Sequence, residues 1–151
     1  EIAIEAARAV RLLGFKPRLA FMSYSSFGTP LGLRSEKVRE AVATLDEMDG
    51  IDFEYEGEMS PELALDATAR ANYPFSRLTG DANVLIMPAI HSASISTKLV
   101  QALGGATVLG PILLGMSRPV QICPLSSSVS GILNMATMAA YDRPLSDATE
   151  D

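Results

Sequence analysis

Two places in the chain combine residues that could carry chemistry, and neither holds a complete catalytic set. The stretch CPLSSSVSGILNM, residues 123–135, puts a proline, a run of three serines and a glycine into an apolar segment, but it contains no acid, base or cation. His91, the only histidine, is followed by Ser94 and Lys98 at helical spacing, so one interpretation is a Ser-His-Lys nucleophilic site. The other is that His91 caps or lines a loop while Lys98 is a solvated charge or a phosphate contact. We favour the second, because no carboxylate is placed to orient the histidine.

Serine-rich loops follow three predicted strand or strand-like segments: SYSSFGTPLG, AIHSAS and CPLSSS. In open α/β sheets ligands bind at the carboxyl ends of the strands, where hydroxyls and helix N-termini can hold phosphate oxygens. These loops therefore predict a site for a phosphate-bearing ligand. Its predicted contacts are Ser25, Ser26, His91, Ser92, Lys98, Ser126, Ser127, Ser128 and, on the final helix, Asn134. The alternative is that these residues only form turns and helix caps, as Ser, Gly and Thr often do.

The pattern of the first half of the chain predicts alternating strands and helices. The opening residues indicate a helix, and residues 19–22 form a short apolar run typical of a buried strand. Ser35 is the predicted cap of a helix that ends near Asp49-Gly50, with an apolar face of Val38, Ala41, Val42, Leu45 and Met48. The segment IDFEYEGEM then alternates and predicts a half-exposed strand, with Asp52, Glu54 and Glu56 on its solvent side.

The second half continues the alternation. Ser60-Pro61 opens a helix predicted to reach about Asn72, and NVLIMPAI is apolar on both faces, as a central parallel strand is. HSASISTKLVQALGG is the next predicted helix. The last helix starts at about Ser127, with a predicted core face of Val129, Ile132, Leu133, Ala136 and Ala140. The fold class is therefore α/β, with three layers and a mainly parallel sheet covered by helices on both faces.

Composition excludes several classes of protein. The 151 residues carry 12 basic and 18 acidic side chains, a formal charge of -6, which argues against a nucleic-acid or anionic-membrane partner. One cysteine and one histidine cannot supply a zinc site. The apolar runs are too short and too interrupted for a membrane-spanning helix, and the sparse cysteine content favours a cytoplasmic location. Because there is no initial Met and a helix begins at once, we expect a fragment of a longer protein, folded as one domain.

Specific segments resemble a known family: LAFMSYSSFGT, SEKVREA, GDANVLIMPAIHSASISTKLVQALGG, and above all GPILLG followed by RPV. They are similar to the C-terminal part of phosphotransacetylases, and more closely to the phosphotransacetylase-like domain that ends bacterial hybrid malic enzymes. The resemblance covers residues 1–141. It implies the phosphotransacetylase-like, isocitrate-dehydrogenase-like fold, with this chain forming the C-terminal part of a larger two-lobed domain.

The resemblance also bears on catalysis. Active members use a Ser-Arg pair and an Asp six residues after the Arg, and these positions are Pro124, Leu125 and Gly131 here. None of the three has a side chain that can donate to acetyl phosphate or accept a thiol proton. The resemblance thus implies a catalytically inactive domain that binds acetyl-CoA as an effector and assembles into at least a homodimer. Malate oxidation, with NAD(P) and Mg or Mn, would belong to a separate N-terminal domain. Two alternatives stay open: an oligomerisation domain without ligand, and an active phosphate acetyltransferase.

Overall fold

A computed structural model describes residues 1–105 and 107–141, which divide into two compact units, Glu1–Ser96 and the described part of Thr97–Asp151. The first unit contains three strands and most of the helices. Its elements are α1 (Ile2–Leu12), β1 (Arg18–Met22), α2 (Leu33–Asp46), β2 (Glu54–Met59), α3 (Pro61–Leu65), α4 (Ala67–Arg70) and β3 (Val84–Ile86). Helix α5 (Ile90–Leu103) begins in the first unit and ends in the second, which also contains α6 (Val129–Tyr141).

The three strands form a parallel sheet in the order β2-β1-β3. Leu19 of β1 lies opposite Tyr55 of β2 and Val84 of β3, so β1 is the central strand. The sequence placed NVLIMPAI at the centre. That prediction was wrong for the described residues: β3 is three residues long, half-buried and paired on one side only. Its apolar side chains contact helices as well as the sheet.

Side chains alternate across β1 and supply two cores. Leu19 and Phe21 pack on one face against α1 and α2, through Ala3, Ala7, Val38, Val42 and Leu45. Ala20 and Met22 pack on the other face against the end of β2, α3 and the chain that follows α3, through Met59, Leu63, Ala64, Leu78 and Ala82. Helices therefore cover both faces of a parallel sheet, and the predicted fold class is confirmed.

Three predictions of local structure need correction. Helix α2 starts at Leu33 with Gly32 as its N-cap, and Ser35 lies buried in the first turn, where its Oγ donates to Gly32 O at 2.8 Å. The helix predicted to reach Asn72 is two short helices, because Asp66 leaves the helical conformation and accepts a hydrogen bond from Thr68 N at 2.7 Å. Strand β2 starts at Glu54, and Glu56 is buried rather than exposed.

The second unit differs most from the predicted packing. Helix α6 begins after Ser128, whose Oγ accepts from Gly131 N at 3.2 Å and so caps the helix. Its predicted core face is exposed in the described chain (Val129 84%, Ile132 52%, Leu133 66%, and also Ala136 and Ala140), whereas Met135 is buried. Among the described residues, no helix has the length and apolar character that crossing a membrane requires.

Candidate functional site

The loop that follows β1 is organised around a buried carboxylate, Glu58. Phe21 pairs with Gly57 and Met22 with Met59, so the register skips Glu58 and leaves it at a bulge. Bulges of this kind redirect a side chain out of the strand pattern. Glu58 is fully buried, and its Oε1 accepts hydrogen bonds from Ser25 Oγ at 2.9 Å, Gly28 N at 2.9 Å and Arg39 Nη1 at 3.2 Å. Its Oε2 is buried without a hydrogen-bond partner in the described part of the chain.

The predicted ligand contacts Ser25 and Ser26 therefore serve the fold itself. Ser25 is fully buried and donates to Glu58, while Ser26 Oγ donates to Ser60 Oγ at 3.1 Å and accepts from Ser60 N at 3.0 Å. These contacts agree with the alternative interpretation, in which the serines build the turn. Sequence reasoning missed Glu58 because an acidic residue in an alternating strand is ordinarily taken as exposed.

A second set of carboxylates lies along β2 and fastens the segment 77–79. Glu54 Oε2 accepts from Thr79 N at 3.0 Å, and Glu56 Oε2 accepts from Arg77 N at 2.8 Å. Burial alone would raise the pKa of Glu54, but hydrogen bonds from Lys16 and Thr79 outweigh it and lower that pKa to about 2. Hydrogen bonds from Tyr55 and Arg77 likewise lower the pKa of Asp46. All of these acids form hydrogen bonds within the fold, and none of them lines the cavity described next.

The first unit contains a cavity of about 1010 Å³ at the carboxyl ends of β1 and β3. Apolar side chains dominate its walls: Ile2, Ala3, Phe21, Met22, Val38, Ala41, Leu45, Met48, Ile86, Met87, Pro88 and Ala89. Two exposed cations on α2, Arg34 and Lys37, and two serines on α5, Ser92 and Ser96, line it as well. Of the predicted ligand contacts in this unit, Ser92 alone lines the cavity. His91, in the first turn of α5, is exposed and forms no ion pair with the described residues.

The predicted contacts in the second unit are mainly at its surface. Lys98, Ser126, Ser128 and Asn134 are exposed, and Ser127 is half-buried. Ser128 has the capping role described above, while the placement of the others leaves their part in ligand binding a prediction. Within residues 1–105 and 107–141, no group of three or more His, Cys, Asp or Glu side chains could hold a metal ion.

Comparison with known proteins gives the family. A model of the family described as phosphate acetyl/butaryl transferase matches residues 1–140. The chain belongs to this phosphate acetyl/butaryl transferase family. An NADP-dependent malic enzyme of Rhizobium meliloti (strain 1021) is 54% identical over 142 residues, which are 94% of this chain and 18% of that protein. A phosphate acetyltransferase of Bacillus subtilis (strain 168) is 32% identical over 146 residues, 93% of this chain and 43% of that protein.

The fold of the family is seen in a solved relative. EutD phosphotransacetylase from Staphylococcus aureus superposes with a TM-score of 0.83 at 31% identity, covering 93% of this chain and 44% of its own. The chain thus spans less than half the length of these relatives. Together the matches fit a phosphotransacetylase-like domain of a malic enzyme.

The positions that the resemblance marks as catalytic carry no catalytic group in this family member. Pro124 and Leu125 are exposed, Leu125 completely, and neither has a polar side chain. Gly131 lies in the first turn of α6, where its backbone N–H bonds to Ser128. A side chain built there would meet Ser128 Oγ at 3.4 Å, an ordinary contact, so space does not explain the glycine.

Proposed function

We propose that this chain is a regulatory and oligomerisation domain of a malic enzyme, which binds acetyl-CoA and does not transfer acetyl groups. The observation that carries the proposal is the set Pro124, Leu125 and Gly131 in a chain 54% identical to part of a malic enzyme. Oxidative decarboxylation of malate, with its NAD(P) and divalent metal, is then the task of another domain of the same cytoplasmic enzyme.

The chemistry of acetyl transfer supports the inactive assignment. Joining acetyl phosphate and coenzyme A requires a base for the thiol proton and a cation against the phosphate. Glycine and leucine supply neither. Removing one such group lowers rates by roughly a hundredfold or more, and three positions are changed together here.

Calorimetry with acetyl-CoA tests the binding half of the proposal. We expect saturable binding of acetyl-CoA to this chain at fixed salt. Lys98→Ala and Ser127→Ala, each checked for folding by thermal unfolding, would bind more weakly if the phosphates lie at the contacts predicted from the sequence. No heat of binding from the parent chain would leave the second candidate, an oligomerisation domain without ligand. The exposed apolar residues of α6 favour that candidate.

An acetyl transfer assay tests the proposal that the chain is catalytically inactive. The chain mixed with acetyl phosphate and coenzyme A should form acetyl-CoA no faster than buffer, with the Bacillus subtilis acetyltransferase as the positive control. Turnover of roughly 1 per second or more would show instead an active acyltransferase.

A further inference from the structure

The cavity beside α2 has features of a ligand site that differ from the predicted serine loops. It lies at the carboxyl edge of a parallel sheet, the usual place for ligands in such folds. Its volume of about 1010 Å³ is at the upper end of the roughly 300–1,000 Å³ found for small-molecule sites. We propose that it holds the acyl-pantetheine arm of a coenzyme A thioester, with Arg34 and Lys37 binding the phosphates. This assignment rests on the proposed function.

The charge pattern of the first unit singles out these two cations. The unit contains nine basic residues, and seven of them bond to acids or backbone oxygens within it: Arg8, Arg11, Lys16, Arg18, Arg39, Arg70 and Arg77. Arg34 and Lys37 have no such partner among the described residues, and both line the cavity. The one acidic lining residue is Glu1, so the walls carry a net positive side-chain charge in a chain of net charge -6. This positive charge would attract an anionic ligand.

Helices α2 and α5 both place polar side chains on the cavity wall, where they could bind the phosphate end of such a ligand. Arg34 and Lys37 are three residues apart, so they share one side of α2. Ser92 and Ser96 are four residues apart on α5 and line the same cavity. Guanidinium and ammonium groups bind phosphate oxygens strongly, and hydroxyls add hydrogen bonds. The apolar walls, which include Phe21, Met22 and Ile86, suit the pantetheine arm and acyl group, which bear no charge.

The buried contacts of Glu58 strengthen the assignment. The donors of the serine loop, Ser25 Oγ and Gly28 N, are bonded to this internal carboxylate and are not offered to a ligand. A phosphate would have to displace a fully buried acid to use them. The two unpaired cations of α2 present no such competition.

The test measures acetyl-CoA affinity by calorimetry at fixed ionic strength. The double variant Arg34→Gln/Lys37→Gln should bind roughly tenfold or more weakly, since hydrogen bonds to charged groups are lost. The control Arg8→Gln/Arg118→Gln removes the same charge from exposed residues that do not line the cavity, and it should change affinity little. Ala41→Phe, which fills part of the cavity, should weaken acetyl-CoA but leave the affinity for ADP, a probe without the pantetheine arm, unchanged.

Each result decides the assignment. If the parent chain does not bind acetyl-CoA, the proposed function fails together with this site. If it binds and the Arg34/Lys37 variant binds equally well, the proposed function stands and this site is wrong. If Ala41→Phe weakens ADP as strongly as acetyl-CoA, the cavity does not hold the arm. If light scattering shows that the same variants lose self-association but keep their affinity for acetyl-CoA, the cavity lies in an interface between copies of the chain. Should the double variant unfold, Lys37→Glu alone replaces it, with the same expected loss.

Discussion

Glu58 determines which hydrogen-bond donors of the loop after β1 are already used within the fold. A carboxylate that accepts from Ser25 Oγ, Gly28 N and Arg39 occupies the place that an external anion would take in a loop rich in small residues. Phe27 N also donates to the backbone oxygen of Glu58, at 2.9 Å. The loop is thereby fixed to β2 and α2 from inside the fold, and Ser25 and Ser26 take part in these internal hydrogen bonds.

Replacing Glu58 should destabilise the chain strongly. Glu58→Ala leaves the fully buried Ser25 hydroxyl and the Gly28 amide without an acceptor, and we expect a loss of about 2–4 kcal/mol in the free energy of unfolding. Arg39 adds less, because its side chain is 31% exposed and can turn to water. Glu58→Gln keeps the volume and one acceptor oxygen, so its loss should be smaller.

Urea unfolding followed by circular dichroism measures these changes. The matched control is Glu40→Ala, an exposed residue of the neighbouring helix, where we expect a change within about 0.5 kcal/mol. Equal stabilities for Glu58→Ala and Glu40→Ala would show that the buried contacts of Glu58 contribute nothing to the fold.

The carboxylate of Glu54, on β2, should make the stability of the first unit sensitive to acid. Hydrogen bonds in the folded state hold the pKa of Glu54 at about 2, below its ordinary 4.5. Glu54 therefore stabilises the fold above about pH 4.5, and this contribution is lost as the pH falls toward 2. Glu54→Gln should lower the urea midpoint at pH 7 and should lose less stability than the parent between pH 5 and pH 2. Glu62→Gln, at an exposed site on α3, serves as the control. Parallel curves for Glu54→Gln and the parent would exclude this role.

The approach of β1 to β2 should depend on Gly57. A Cβ at this position would lie 2.6 Å from Phe21 Cβ and 2.9 Å from Phe21 O, so Gly57→Ala must push the strand backbones apart. We expect a loss of about 2–4 kcal/mol in the free energy of unfolding. Gly50→Ala is the control, since Gly50 also has a positive φ, of 80°, but open space around it. Its loss should stay near the roughly 1–2 kcal/mol of the backbone conformation itself. A loss at Gly57 no larger than at Gly50 would mean that the strands adjust freely.

The elements also show where sequence reasoning succeeds. Residues 19–22 form an uninterrupted apolar run, and they are the buried central strand β1. The burial of Glu56 and Glu58 could not be predicted locally. Apart from the N–H of the adjacent Gly57, their hydrogen-bond donors come from residues 19 to 33 positions away along the chain. The end of α3 at Asp66 could not be predicted either, because the residues around it continue a helical pattern. The hydrogen bond from Thr68 N to the Asp66 side chain starts a new helix there.

The net negative charge of the molecule restricts an anionic ligand to places with local positive charge. A chain of net charge -6 attracts no phosphate at long range, so local cations must do it. The sequence predicts Lys98 and the serine loops for this purpose, whereas the site that we propose in the cavity uses Arg34 and Lys37. From the sequence, Arg34 and Lys37 look like solvent-exposed residues of a helix. They differ from the other basic residues of the first unit because those form hydrogen bonds or ion pairs within it. Family resemblance, by contrast, was fully readable from segments such as GPILLG, because it depends on the order of residues and not on their contacts.

The exposed apolar residues of α6 predict self-association of the chain. Helix α6 exposes Val129, Ile132 and Leu133, and apolar surface of this extent on one helix is typical of an interface. We expect light scattering at micromolar concentration to give a homodimer, the minimal closed assembly. Leu133→Glu should shift the chain toward monomer, because an unpaired charge would be desolvated in the contact. Leu31→Glu makes the same change at a residue that is 79% exposed in the loop before α2, and it should leave the mass unchanged. Circular dichroism must show the same helix content for both variants. A monomeric parent chain, or equal dimerisation of both variants, would show that α6 does not form the interface.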